Sequence, residues 1–253
     1  MQQWLLQADT VRKTVRACVA AQLVTLTVCY ALWVSEGCDH FMPFISDTDT
    51  HPTSGAVFTF GFTVSGLLLA LLAWQMFRLR SDWISSNPAG ARLRSLNTFS
   101  AIFGIISGLF IVWIAYTPWD EQLALHLLQA RVIFGSSLIW AWLSTVMVSD
   151  MAAFDVRFLE VHKPRRNRAV FTALCLGLMA LSIVLFTGFG EIAALGLSDF
   201  ESYVDLVQIC TELTIPEMSI AALFEWAMVI GLIGVVETGI LEVSLLTSHE
   251  SKE

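Results

Sequence analysis

The position of the basic residues constrains this chain more than any other feature. The chain has 14 Lys and Arg residues, of which thirteen lie in short polar segments or, like Arg16, at the very edge of a long apolar run, and Arg131 alone lies well inside a run. A helix needs roughly 20 mostly apolar residues to cross a hydrocarbon layer about 30 Å thick. Six runs meet that length, and they occupy residues 14–35, 55–77, 98–117, 124–148, 169–189 and 218–244. The sequence therefore predicts a polytopic membrane protein.

The six runs also predict the architecture and its orientation. Backbone hydrogen bonds within lipid have to be made inside the protein, so we expect an all-α bundle of six transmembrane helices. If all six runs cross, one side carries the basic segments, whereas the loops on the other side carry acids and no Lys or Arg. The positive-inside rule then places both termini in the cytosol and the acidic loops in a lumen or outside the cell. No polar segment is long enough to fold separately, so residues 1–253 form a single membrane domain.

Arg131 requires a partner, because a lone Arg within lipid costs from about 2.5 kcal/mol upward. Glu225 is the obvious candidate, since each residue lies about seven positions, or roughly 10 Å, from the luminal start of its run. The sequence predicts an intramembrane ion pair that sets the register of the fourth and sixth spans. The alternative is that these two charges contact a substrate or a lipid headgroup.

Two further groups of residues lie outside the runs. Cys38 and Cys210 are both on the luminal side, where oxidation is allowed, and a disulfide between them is a hypothesis that their spacing leaves open. The polar segments on the cytosolic side predict a basic surface for an anionic leaflet or a protein partner. This surface comprises Arg92, Arg94, Lys163, Arg165, Arg166 and Arg168.

Three motifs stand in order along the chain. The first luminal loop reads Pro43, Phe44, Ile45, Ser46, Asp47 and Thr48. The fourth run carries His126, Ala130 and Phe134 at a spacing of four residues, and the sixth run contains the pair Glu225 and Trp226. Together these motifs resemble the DRAM family, the damage-regulated autophagy modulators, within a superfamily that includes GPI-anchor lipid-remodelling proteins and the N-terminal part of CWH proteins. The chain departs from the family pattern at Asp49, Gln129 and Arg131.

The loop motif and the intramembrane charges lie at similar predicted depth. Pro43 and Asp47 favour a rigid turn that would cover the luminal mouth of the bundle. A sharper hypothesis is that Asp47, His126, Arg131 and Glu225 converge beneath it on a lipid headgroup. His40, His51 and His126, with Asp47 and Asp49, raise the alternative of a zinc site. No HxxxH or HExxH spacing supports a metal, so neither a metal nor another cofactor is predicted.

The sequence is compatible with three functions. Resemblance to the DRAM branch implies a non-enzymatic modulator of autophagy or endolysosomal membrane traffic, located in endomembranes or, alternatively, the plasma membrane. Resemblance to the GPI-remodelling branch implies a luminal lipid-remodelling enzyme, for which Asp47 and His126 are the candidate acid and base. A small-solute or lipid transporter ranks third, since no Pro interrupts a predicted run. Membrane lipids are the expected partners, and no feature indicates nucleic acid.

Overall fold

The computed structural model describes residues 3–38, 40, 42–87, 90–187 and 216–248. Within these ranges the protein is helical, without strands. The long helices are α1 Ala8–Ser35, α2 Pro52–Ser86, α3 Ala91–Ile114, α4 Trp119–Met151, α5 Leu159–Thr187 and α6 Pro216–Glu237, and the short helix α7 Gly239–Leu246 continues α6. Six spans are long and apolar enough to cross a membrane, with α6 and α7 together forming the sixth. The predicted six-helix membrane fold is confirmed, whereas the orientation of the termini stays a prediction.

The six spans alternate in direction, so the bundle has two distinct ends. We call the end that carries residues 43–50 the motif end, and the opposite end, where α1 begins and α7 finishes, the termini end. Consecutive spans pack against each other around the bundle, and α1 also contacts α6 and α7.

The helices extend well beyond the apolar runs at the termini end. The polar segments 78–97 and 149–168 are mostly helical, and the connection between α2 and α3 spans only residues 87–90. Helix α2 continues to Ser86 because no turn residue intervenes before Asn87 and Pro88. Arg78 and Arg80 therefore lie on a helix and not in a loop, and this placement decides the partner of Arg80.

Polar side chains lie inside the bundle, and large apolar ones cover its outside. Buried polar residues include Gln75, Arg80, Ser100, Gln129 and Glu242, while exposed apolar residues include Phe60, Leu67, Leu174 and Leu185. This distribution is the reverse of that in a water-soluble protein, and it is expected where the surrounding solvent is hydrocarbon. The outer surface therefore fits a membrane-embedded bundle.

Helices α2 and α3 approach each other closely through glycine. A Cβ atom on Gly108 would lie 2.6 Å from the carbonyl oxygen of Gly66 and 2.8 Å from the amide nitrogen of Ala70. Residues without side chains let transmembrane backbones come into van der Waals contact, which is the main attraction between helices in lipid. This pair of helices therefore forms a tightly packed wall on one side of the bundle.

Candidate functional site

The loop motif folds into a short 3₁₀ helix, Ile45–Asp49, at the motif end. Asp47 closes its first turn, because Oδ2 accepts a 2.8 Å hydrogen bond from the Phe44 amide while the Asp47 amide donates to the Phe44 carbonyl at 3.0 Å. The Thr48 hydroxyl donates to the Ile45 carbonyl at 2.7 Å. Asp47 and Thr48 are both buried. The motif residues thus hold the loop in one compact conformation, as the sequence predicted for a turn.

Two residues of the sixth span form hydrogen bonds with this loop. Oε2 of Glu225 accepts a 2.7 Å hydrogen bond from the Ile45 amide, and Nε1 of Trp226 donates to the Pro43 carbonyl at 2.8 Å. The Trp226 ring also meets the ring of Tyr30 edge-on, with 5.9 Å between centroids. Two motifs that are 180 residues apart in sequence are therefore parts of one contact.

The third motif lies on α4, and its histidine has a structural partner. His126 is buried, and its Nδ1 lies 2.7 Å from the Thr117 carbonyl oxygen. Because a carbonyl only accepts, Nδ1 carries the proton and donates it, which leaves Nε2 without a proton in the neutral ring. The Thr117 hydroxyl in turn donates to Oε1 of Gln129 at 2.5 Å. Gln129, a departure from the family pattern, thus helps to hold the turn before α4.

A cavity of about 510 Å³ lies beneath the loop motif, inside the bundle. Side chains from all six spans contribute to its wall, which is mostly apolar. The polar and charged residues on the wall include Ser46, Asp47, His126, Arg131 and Glu225. All three residues of the α4 motif, His126, Ala130 and Phe134, also line the cavity, since residues four positions apart share one face of a helix. The four residues predicted to converge on a headgroup are therefore brought to one cavity.

The predicted ion pair between Arg131 and Glu225 is not present among the described residues, and this expectation is corrected. Glu225 is buried and directs its carboxylate to the Ile45 amide, whereas Arg131 is exposed at the edge of the cavity. Equal depth in two helices does not specify the angular position of either side chain. The loop takes the carboxylate because a buried backbone N–H also requires an acceptor.

Only some residues of the predicted basic surface are exposed. Arg92, Arg94, Lys163 and Arg166 are exposed, and Arg92 lies 3.0 Å from Asp150. Arg168 is half-buried and pairs with Glu237 at 2.9 Å. Arg165 is buried, however, so its assignment to the surface is wrong. It lies on the inner face of α5, where it contacts an acid that the sequence did not identify as its partner.

That acid is Glu242, at the centre of a buried charge cluster near the termini end. Arg80 forms two hydrogen bonds with its carboxylate, at 2.7 and 2.9 Å, and Nη2 of Arg165 lies 2.6 Å from the same group. Arg165 also donates to the Thr238 hydroxyl at 2.7 Å. The Glu242 side chain is 0% exposed. The cluster joins α2, α5 and α7. The sequence signals for it were the position of Glu242 inside the sixth apolar run and the absence of a turn between Arg80 and Asn87.

The remaining cysteine and metal hypotheses have different outcomes. Cys38 is buried and disulfide-bonded, but Cys210 lies outside the described residues, so their pairing stays a prediction. Among the described residues, no group of three His, Cys, Asp or Glu side chains is placed to hold a metal ion. His51 instead lies 2.5 Å from the carboxylate of Glu36 and thereby links the start of α2 to the end of α1.

The burial of Asp47 predicts how stability depends on pH. Burial raises the pKa of Asp47 from 3.8 to about 7, although the Phe44 amide favours the charged form. Between these two values the folded state binds more protons than the unfolded state, so stability falls as pH rises from about 4 to 7.

Asp47→Asn keeps an oxygen acceptor and should reduce this dependence of stability on pH when thermal unfolding midpoints are measured across the range. Burial and the nearby Asp120 also raise the pKa of Asp49 to about 7, so part of the slope should remain. A slope in Asp47→Asn equal to that of the wild type would contradict the prediction.

A family model described as the Frag1/DRAM/Sfk1/Cwh43P N-terminal domain matches residues 14–244. No curated protein and no solved structure matches the chain. The family match covers all six spans together with the loop motif and the Glu225–Trp226 pair.

Proposed function

Because this chain belongs to the Frag1/DRAM/Sfk1/Cwh43P N-terminal domain family, we propose that it is a non-enzymatic membrane protein that holds a lipid beneath its loop motif and thereby modulates autophagy or endolysosomal membrane traffic. The observation that carries the proposal is the cavity of about 510 Å³. Sites for small ligands are commonly about 300–1,000 Å³, with apolar walls and a few polar groups that set the orientation. This cavity has that composition, and it lies in a bundle that spans the membrane.

The distribution of polarity in the cavity favours an amphipathic ligand. Phe58, Leu69 and Ile133 are among the apolar wall residues, whereas Ser46 and Asp47 belong to the loop at the motif end. An acyl chain would bury its surface against the apolar wall, and a polar headgroup would lie near the loop. A membrane lipid combines both parts and reaches the cavity without leaving the bilayer.

The entrance that we propose for the cavity is a gap between α4 and α5. Arg131 on α4 and Ala180 on α5 both line the cavity, and both are exposed. Over the described residues, α4 and α5 pack together less extensively than any other two consecutive spans. A lipid would enter sideways through this gap, from the leaflet at the motif end.

A lipid-remodelling enzyme remains a second candidate, because Asp47 and His126 line the same cavity. Both side chains already have structural partners, Asp47 with the Phe44 amide and His126 with the Thr117 carbonyl. These contacts explain their burial without a catalytic role. A binder returns its lipid chemically unchanged, whereas an enzyme converts it, and mass spectrometry of a labelled lipid after incubation distinguishes the two.

The first test of the proposal is a substitution whose larger side chain fills the cavity. Ala130 lines it from α4, so Ala130→Phe should reduce the amount of lipid that co-purifies with the protein several-fold. Leu128→Phe is the matched control, since Leu128 is on the same helix, is exposed and is not a cavity residue. Lipids extracted from equal amounts of each monodisperse protein would be quantified by mass spectrometry. Equal lipid content in Ala130→Phe, Leu128→Phe and wild type would argue against the cavity as the binding site.

A further inference from the structure

Arg131 differs from the two buried cations of the charge cluster. Arg80 and Arg165 both lie against Glu242, whereas no ion pair within the described residues includes Arg131. It is exposed and at the same time lines the cavity, on the α4 side of the proposed gap between α4 and α5. Among the described cavity residues it is the only Lys or Arg.

The two carboxylates on the described cavity wall are already engaged. Glu225 accepts from the Ile45 amide at 2.7 Å, and Asp47 accepts from the Phe44 amide at 2.8 Å. Releasing either one for Arg131 would leave a backbone N–H of the loop without its acceptor. The wall on the other sides of the cavity is mostly apolar. Among the described residues of the cavity wall, no carboxylate is therefore left to pair with Arg131, and this favours an anionic ligand as its partner.

The chemistry of guanidinium indicates what that partner is. Arg is the preferred residue for bidentate hydrogen bonding to carboxylate and phosphate, and it keeps its charge at every physiological pH. A charge within a membrane span is expensive unless it is paired or hydrated. In a bilayer, the abundant anionic group attached to an acyl chain is the phosphate diester of a glycerophospholipid.

We propose that Arg131 binds the phosphate of a glycerophospholipid whose acyl chain occupies the cavity and whose path of access is the gap between α4 and α5. This inference rests on the proposed lipid-binding function and specifies the ligand class at the same site. It also assigns a role to a residue that departs from the family pattern.

The experiment compares lipids that differ only in the phosphate. Phosphatidylglycerol, phosphatidylcholine and diacylglycerol with identical acyl chains are titrated onto the purified full chain, and bound lipid is measured by native mass spectrometry. Wild type should prefer both phospholipids over diacylglycerol. Arg131→Gln should weaken phospholipid binding by about tenfold or more, because a hydrogen-bonded charge is lost, and should thereby remove the preference for phospholipid over diacylglycerol. Arg131→Lys, which keeps a point charge without the planar fork, should retain part of the preference.

Several results would overturn the inference, and they are distinguishable from failure of the proposed function. Equal affinity of wild type for phospholipid and diacylglycerol, with Ala130→Phe still reducing both, would reject the phosphate contact but keep the lipid cavity. A phospholipid preference that persists in Arg131→Gln would place the phosphate on another residue. Soluble glycerol phosphate competing as well as phospholipid would show a site for a free anion. If wild type binds none of the lipids, the proposed function and this inference both fail. The wild-type comparison alone keeps the test decisive if Arg131→Gln does not fold.

Discussion

Glu242→Gln is expected to destabilise the bundle by about 3–5 kcal/mol, which is the usual effect of removing one member of a buried ion pair. The carboxylate accepts hydrogen bonds from Arg80 at 2.7 and 2.9 Å and lies 2.6 Å from Nη2 of Arg165. A neutral amide would leave two buried guanidinium groups without a counter-charge. For a protein of this size, such a loss corresponds to a fall in Tm of roughly 10 °C. The measurement is thermal unfolding in detergent, followed by the loss of the monodisperse peak in size-exclusion chromatography.

Glu237→Gln is the matched control for this experiment. Glu237 lies five residues before Glu242 and pairs with Arg168 at 2.9 Å, but the two side chains are 53% and 37% exposed, respectively. Exposed pairs contribute only about 0–1 kcal/mol, so the control should unfold close to the wild type. Similar shifts for both variants would mean that the buried cluster contributes no more than a surface pair does. Loss of expression in Glu242→Gln alone would agree with the prediction.

The second large effect is expected at the contact between the sixth span and the loop motif. Glu225→Leu removes the acceptor of the Ile45 amide and leaves a buried N–H unpaired, which costs about 1–3 kcal/mol. The loss is local to the loop, so we expect hydrogen exchange of the amides over residues 44–49 to accelerate by about tenfold or more. Hydrogen exchange with mass spectrometric detection measures this directly.

Glu225→Gln separates this explanation from the ion pair that the sequence predicted. The amide side chain still offers an oxygen to the Ile45 amide, so exchange in the loop should stay near the wild-type rate. A pair with Arg131 would require the negative charge, and Glu225→Gln would then be as damaging as Glu225→Leu. Equal and large effects of both variants would therefore contradict the loop contact and restore the predicted pair.

The helical spans were predictable because their cause is local to the chain. A run of roughly 20 apolar residues has no stable alternative to a helix in lipid, so counting along the sequence was sufficient. The ends of the helices were not predictable in the same way. Helix α2 runs to Ser86, since outside the apolar layer a helix continues until a turn residue stops it. The predicted loops at the termini end were too long for this reason.

The residues of the candidate site were predictable from the sequence, but the contacts between them were not. The motifs identified Asp47, His126 and Glu225, and all three line one cavity. Which atom of Glu225 meets which partner depends on the rotation of α6 about its axis and on the depth of the loop. Two neighbouring residues of a helix have nearly the same depth in the membrane, but their side chains point in directions that differ by about 100°. The depth of a residue therefore does not predict which neighbour its side chain contacts.

The sequence by itself determined that this protein is a six-span membrane bundle whose basic segments lie at one end. The length of an apolar run determines whether it crosses the membrane, and the positions of the charges determine which segments share one side. Both depend on the surrounding lipid and water and not on the neighbouring helices. Only the tertiary structure decided that Arg80 and Arg165 share Glu242 and that Glu225 supports the loop at Ile45. It also decided that Arg131 lies unpaired among the described residues at the edge of the cavity. Partner choice depends on the angular packing of helices, because a buried charge binds whichever opposite group or backbone amide the fold brings within hydrogen-bond distance.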